Sequence, residues 1–170
     1  MKNTNHSLFD KYEMIKDLGT GSSGSVTLVR HISMDQERAL KKVPKASAFA
    51  ESALSEARLL KSLEHPSIPR IFDFEDDDAF YYIVEEYIDG ETLDSFLLHQ
   101  QLISPGLFFN ICEQLCNVFI YLHTQISTPI IYRDLKPEHI IVCHNKLKLI
   151  DFAYRHMLSR MEITSITMGI

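Results

Sequence analysis

Residues able to do chemistry gather in three places along the 170-residue chain. The first is Gly19-Thr20-Gly21-Ser22-Ser23-Gly24, which holds half of the six glycines and runs into Ser25-Val26. Glycines let a backbone pass close to a phosphate and turn N–H donors towards it. A dinucleotide fingerprint would need a helix directly after the glycines and an acidic residue about 20 positions on. A strand-like run follows instead, so the window reads as a hairpin folded over a phosphate, although alone it is equally an ordinary turn. The second place is Lys41, at the end of Ala39-Leu40-Lys41 and fifteen residues before Glu56. A strand lysine can contact the α- and β-phosphates of a nucleotide if a carboxylate holds its ammonium, whereas by themselves the two read as an exposed Lys and a solvated Glu. The third is Ile131-Tyr132-Arg133-Asp134-Leu135-Lys136-Pro137-Glu138-His139-Ile140-Ile141, followed by Leu149-Ile150-Asp151-Phe152-Ala153.

The elements that must position these residues change character near Asp89-Gly90. Before it, Tyr12 to Leu18, Ser25 to Ile32, Arg38 to Val43, Ile71 to Phe74 and Phe80 to Tyr87 are short β-branched, aromatic or alternating runs, the signature of strands. Ser47 to Leu63 has helical spacing instead, with Ala53, Ala57, Leu60 and Leu63 on one face and Pro66 and Pro69 ending it. After it, Thr92 to Gln100 suits a short helix. Ser104-Pro105 opens a longer one, since Ser caps and Pro at the first position needs no donor. That helix carries an apolar stripe through Phe108, Ile111, Cys112, Leu115, Phe119 and Leu122, on which Cys112 and Cys116 read as buried packing thiols. Ile140 to Cys143 and Lys146 to Ile150 suit a hairpin, and Ala153 to Ile170 shows no periodicity.

The three motifs, in this order and on these elements, resemble the protein kinase superfamily, in the style of bacterial members of the eukaryotic-type Ser/Thr kinases. The resemblance runs from about residue 12 to the end. It implies an α+β, protein-kinase-like fold: an N-terminal extension over 1–11, a complete β-rich N-lobe with one helix over 12–88, and the first part of a helical C-lobe over 89–170, ending in the activation segment. It implies transfer of the γ-phosphoryl of ATP to a Ser or Thr hydroxyl of a protein, with Mg²⁺ as the ion and Mn²⁺ as an alternative. By similarity, Asp134 would orient the substrate hydroxyl and Lys136 would sit on the γ-phosphate. Asp151 and His139 would stand at the metal positions. Leu18, Gly19, Gly21, Gly24, Val26, Ala39, Lys41, Glu56, Glu86, Ile88 and Ile141 would form the ATP site: Lys41 paired with Glu56, Val26 and Ala39 above the adenine, Ile141 below it, and backbone groups of Glu86 and Ile88 at its edge. Glu85 would take the gatekeeper position, and Leu60, Tyr132 and Phe152 would stack in a spine.

Four features depart from that pattern. Tyr132 replaces the usual His of the catalytic loop, a variant that active members tolerate. His139 replaces the Asn that gives Mg²⁺ a second oxygen, and imidazole is a softer donor better suited to transition ions. Ala153 replaces Gly after Asp151-Phe152. The sequence stops at Ile170, before the family's substrate-docking platform, so a partner or a further segment is expected to cover the apolar stripe of the partial C-lobe. Ser159, Thr164, Ser165 and Thr167 are candidate phosphosites of the activation segment. A nucleotide-binding, pseudokinase-like interaction module is therefore the alternative to an active kinase. Small-molecule kinases of the same fold fit less well, because their catalytic loop usually lacks the Leu-Lys-Pro-Glu run.

Composition narrows the remaining classes. An apolar fraction of 45% and a charged fraction of 24% describe a globular chain and exclude a disordered tail. Seventeen basic against twenty-three acidic side chains give a net charge of -6, the wrong sign for a nucleic-acid binder. Met1 to Asp10 lacks the apolar core of a signal peptide, and polar residues interrupt Leu107 to Leu122, so no membrane span is expected. Three cysteines at no framework spacing suit reduced thiols in a cytoplasm and not a zinc site.

Overall fold

The computed structural model describes residues 7–21, 24–100, 102–124, 129–152 and 156–157. These form two compact units: Met1–Leu63 with Pro69–Tyr87, and Glu64–Ile68 with Ile88–Ile170.

The first unit is built on a five-stranded antiparallel sheet. It opens with a single turn of helix, α1 (Leu8–Lys11), whose start is closed by Ser7 and Asp10 in a reciprocal capping box. The strands are β1 (Tyr12–Gly21), β2 (Gly24–His31), β3 (Gln36–Pro44), β4 (Ile71–Asp76) and β5 (Phe80–Glu86), in the spatial order β1-β2-β3-β5-β4. Helix α2 (Ala50–Leu60) lies between β3 and β4 in sequence. Strand alternation divides the apolar residues into two clusters. On one face Val43 and Ile83 pack with Ala53 and Ala57 of α2. The other cluster joins Val29, Leu40, Tyr82 and Val84 to Tyr12 and to Leu8 of α1, which is fully buried. Lys11 Nζ to Asp73 at 2.8 Å and the Leu8 N–H to Glu75 at 2.8 Å tie α1 to β4. A helix of four residues was invisible to periodicity, and tertiary burial of Leu8 is what fixes it.

Register places the chemistry-bearing residues. Val26, Lys41 and Ile83 form one cross-strand row, and Leu28, Ala39, Glu85 and Ile71 form another two positions along the strands. The β1–β2 hairpin closes with Gly21 opposite Gly24. Gly24 has φ 136°, and a Cβ there would lie 2.1 Å from the Lys42 carbonyl oxygen, so only glycine fits.

The second unit contains β6 (Glu91–Thr92), α3 (Leu93–His99), α4 (Pro105–Thr124), β7 (Ile130–Ile131), a 3₁₀ turn at Pro137–His139, β8 (Ile140–Cys143), β9 (Lys146–Leu149) and β10 (His156–Met157). The expected cap of α4 is present: Ser104 Oγ accepts the Leu107 N–H at 3.2 Å. Positive φ at His144 and Asn145 closes the two-residue β8–β9 turn. Strand order is β6-β8-β9, with β10 pairing β7. Gly90 precedes β6 where a Cβ would meet the Val142 carbonyl at 2.3 Å. Two expectations for α4 need correction. Leu122 of the expected stripe is buried together with Val118, and Ile111, Cys112, Leu115 and Phe119 are half-buried, but Phe108 is exposed. Cys116 is exposed and not a buried packing thiol, and Cys112 is half-buried. No helix among the described residues is long and apolar enough to cross a membrane.

Candidate functional site

In the first unit, β3 and α2 bring Lys41 and Glu56 together. Lys41 Nζ donates to Glu56 Oε2 at 3.0 Å, with the Lys side chain 20% and the Glu side chain 8% exposed. A buried carboxylate needs such a partner, because leaving it alone would cost several kcal/mol. The helical register of α2 aims Glu56 at the sheet along with Ala53 and Ala57. Neither residue type nor the spacing predicts this closeness; the resemblance of the surrounding motifs does.

Glu85, opposite Ala39 and Ile71, is half-buried. Burial pushes its carboxyl up to about 7; the negative charge of Glu56 adds to the rise and the ammonium of Lys41 opposes it. Glu86 pairs with Arg70: its N–H donates to the Arg70 carbonyl at 2.9 Å, while its Oε2 accepts the Arg70 N–H at 3.3 Å. Of the backbone groups expected to face an adenine edge, the Glu86 N–H is thus already engaged. Ala39 is buried, Val26 half-buried and Leu18 exposed. Gly19 and Gly21 have nothing within 4 Å of an added Cβ, so the hairpin leaves open space beside them.

The second unit gathers the residues expected to form a catalytic loop. Asp134 Oδ2 is 3.2 Å from Lys136 Nζ, both partly exposed. His139, only 12% exposed at its side chain, stands between two carboxylates: Nδ1 is 3.1 Å from the Asp134 carbonyl oxygen and 3.4 Å from Asp134 Oδ2, and Nε2 is 3.5 Å from Asp151 Oδ2. Backbone bonds fix these positions. The His139 N–H donates to the Lys136 carbonyl in the 3₁₀ turn, and the Ile150 N–H donates to the His139 carbonyl at 2.8 Å. The Tyr132 hydroxyl donates to the carbonyl of Ile150, and its ring stands edge-on to Phe152 with centroids 5.2 Å apart. Asp151 has φ 60°, a left-handed backbone that Asp adopts at a cost of order 1–3 kcal/mol and that is common where a side chain must be aimed. Ile141, in β8, is half-buried and Ile88 falls within this unit.

His65 is held as a structural residue. Its Nδ1 accepts the Ser67 N–H at 3.0 Å, its ring lies against Tyr121, and burial and then the charge of Lys148 lower its pKa. Ala153 and the candidate phosphosites Ser159, Thr164, Ser165 and Thr167 lie outside the described residues.

As a metal site, the donor set is mixed. Asp151 offers the hard oxygen that suits Mg²⁺, and His139 offers nitrogen, which suits it poorly. Among the described residues no group of three or more His, Cys, Asp or Glu side chains could hold an ion, so phosphate oxygens and water would have to complete its shell.

Comparison with known proteins follows the same lines. A family model described as the protein kinase domain matches residues 12–168. The chain is 31% identical over 159 residues to the serine/threonine-protein kinase PrkC of Bacillus subtilis (strain 168), covering 91% of this chain and 24% of that protein. It is 34% identical over 167 residues to calcium-dependent protein kinase 4 of Plasmodium falciparum (isolate 3D7), covering 89% and 30%. It is 32% identical over 153 residues to the serine/threonine-protein kinase ppk25 of Schizosaccharomyces pombe (strain 972 / ATCC 24843), covering 87% and 36%. The chain thus spans between 24% and 36% of the length of these relatives.

Proposed function

The chain belongs to the protein kinase domain family, and on that premise we propose that it is an ATP-dependent serine/threonine kinase acting on protein hydroxyls. Bound ATP with a divalent cation supplies the transferable phosphoryl group and neutralises charge as the terminal phosphate leaves ADP. The chain's residues do the rest by position and electrostatics. Lys41, held by Glu56, meets the α- and β-phosphates. Asp134 accepts the hydrogen bond of the substrate hydroxyl, aligning its oxygen and taking its proton as the new O–P bond forms. Lys136 steadies the negative charge of the transferred group and Asp151 holds the ion. The Lys41–Glu56 pair at 3.0 Å carries this reading beyond family membership, because that pairing is what readies a strand lysine for phosphate oxygens. The relatives named serine/threonine kinases and Lys136 two residues after Asp134 support the choice of hydroxyl. A cytoplasmic setting is proposed from three unpaired cysteines.

Two measurements test it. ATP with Mg²⁺ or Mn²⁺ at a hundred times its Kd is expected to stabilise the protein by about 2.7 kcal/mol, seen as a rise in melting temperature. Asp134→Ala is expected to lower phosphate transfer by a factor of about 10²–10⁴ while leaving that rise unchanged. Retained transfer in Asp134→Ala overturns the role of Asp134. The second reading, a nucleotide-binding module without transfer, is favoured by His139 at a position where Mg²⁺ needs oxygen. It is the outcome if ATP raises the melting temperature and no metal supports transfer.

A further inference from the structure

The carboxyl of Glu85 makes no hydrogen bond among the described residues. Two other carboxylates of the first unit are paired: Glu56 accepts from Lys41 Nζ at 3.0 Å, and Glu86 accepts from the Arg70 N–H at 3.3 Å. Strand alternation puts Glu85 on the same face of β5 as Ile83, the face that packs on α2. Register sets it opposite Ala39, which shares a face of β3 with Lys41. Residues so opposed have Cβ atoms about 4.5–5.5 Å apart. Burial raises the Glu85 carboxyl to about 7, so the fold bears a cost for holding the group here. A half-buried acid without a partner calls for one, and its neighbours indicate which. Ala39 is the residue expected above a nucleobase, and the backbone of Glu86, next along β5, is expected at the edge of that base. All three residues belong to one compact unit.

From this placement we propose that the Glu85 side chain accepts a hydrogen bond from the 6-amino group of the nucleotide base, and so selects 6-amino over 6-oxo purine triphosphates. The inference rests on the ATP reading and deepens it by naming a group that reads the base. The amino group of adenine has two N–H donors, and one backbone carbonyl at the base edge takes only one of them. A carboxyl accepts the other in either protonation state. Guanine carries a carbonyl oxygen at the same place, and its lone pairs oppose those of an ionised carboxylate. An apolar residue facing Ala39 would leave the second N–H without a protein acceptor and would not tell the two bases apart.

The experiment is a cycle of two ligands and two proteins, read as Kd by titration calorimetry of the whole chain with Mg²⁺. The ligands are ATP and purine riboside triphosphate, which lacks only the 6-amino group. The proteins are the native chain and Glu85→Met, which keeps the length of the side chain and removes its acceptor oxygens. In the native chain, loss of the amino group is expected to weaken binding roughly ten- to a hundredfold. In Glu85→Met the same loss is expected to matter roughly fivefold less, because the backbone contact cancels in the ratio and the carboxyl contact is already gone. The preference for ATP over GTP is expected to shrink in parallel. Glu85→Gln keeps an acceptor oxygen and is expected to retain the preference for ATP over the amino-free analogue. A merely structural role would weaken both ligands alike, so an unchanged ratio in Glu85→Met overturns the proposal and leaves the ATP reading intact. Equal affinity of the native chain for ATP and the analogue also overturns it, and that comparison needs no variant to fold. Absence of ATP binding to the native chain removes both readings.

Discussion

The Tyr132 hydroxyl donates a hydrogen bond to the carbonyl of Ile150, the residue before Asp151. With the Ile150 N–H bonded to the His139 carbonyl, both backbone groups of one residue anchor the segment that carries the proposed metal carboxylate. Tyr132→Phe keeps the ring against Phe152 and removes only the hydroxyl. A hydrogen bond of this kind contributes about 0.5–1.5 kcal/mol. The expected outcome is a fall in kcat of roughly two- to tenfold with little change in KM for ATP, since the aim of Asp151 is disturbed and nucleotide contacts are not. Equal loss in KM would place the hydroxyl's effect in binding.

Glu56 and Lys41 carry a sharper prediction. Glu56→Gln preserves shape and one acceptor and removes the charge beside the ammonium. Hydrogen bonds between charged groups contribute about 1.5–3 kcal/mol, so kcat/KM for ATP is expected to fall roughly ten- to a hundredfold. Steady-state kinetics over a range of ATP concentrations decides it, and a loss of less than twofold would remove the pair from the mechanism.

The glycine window separates folding from binding. Gly24→Ala puts a Cβ 2.1 Å from the Lys42 carbonyl at φ 136°, and it is expected to destabilise the fold by about 2 kcal/mol or more. Gly19→Ala meets no atom within 4 Å and is expected to leave urea unfolding nearly unchanged while weakening ATP. Similar midpoints for the two variants would contradict the strand register.

Much of this site was legible because the motifs carry their own geometry. The glycine window announced a hairpin, and Gly24 proved to be the position where close approach demands it. Lys41 and Glu56 by themselves read as exposed side chains, and only the kinase resemblance implied their pairing; the two side chains meet. Elements that depend on distant partners were hidden. The strands β6 and β10 are two residues long and exist through their pairing with β8 and β7. Helix α1 has one turn and is fixed by Leu8 entering a core built from β1, β2, β3 and β5. Cys116 was misplaced because a stripe read from periodicity on a 20-residue helix says nothing about which edge finds cover. The sequence likewise showed that His139 stands where Asn is usual, but the partners of its two nitrogens come from residues five positions before and twelve after it.

Glu85 gives a pH dependence whose sign follows from its position. Its carboxyl titrates at about 7 in the fold against 4.5 for a free side chain, because burial disfavours the charge and Glu56 adds to that while Lys41 opposes it. Below pH 4.5 the group is protonated in folded and unfolded chains alike, and its contribution is intact. Between pH 4.5 and about 7 the unfolded chain releases the proton while the folded chain keeps it, so stability falls as pH rises. Above about 7 both states are ionised and the loss is complete, of order 3 kcal/mol. Glu85→Gln has no proton to release. Chemical denaturation of both proteins from pH 4.5 to pH 8 is therefore expected to show the variant gaining on the native chain as pH rises, with most of the gain complete just above pH 7. Other titrating groups cancel in that difference, and a difference that does not change with pH would mean that the Glu85 carboxyl is hydrated in the fold.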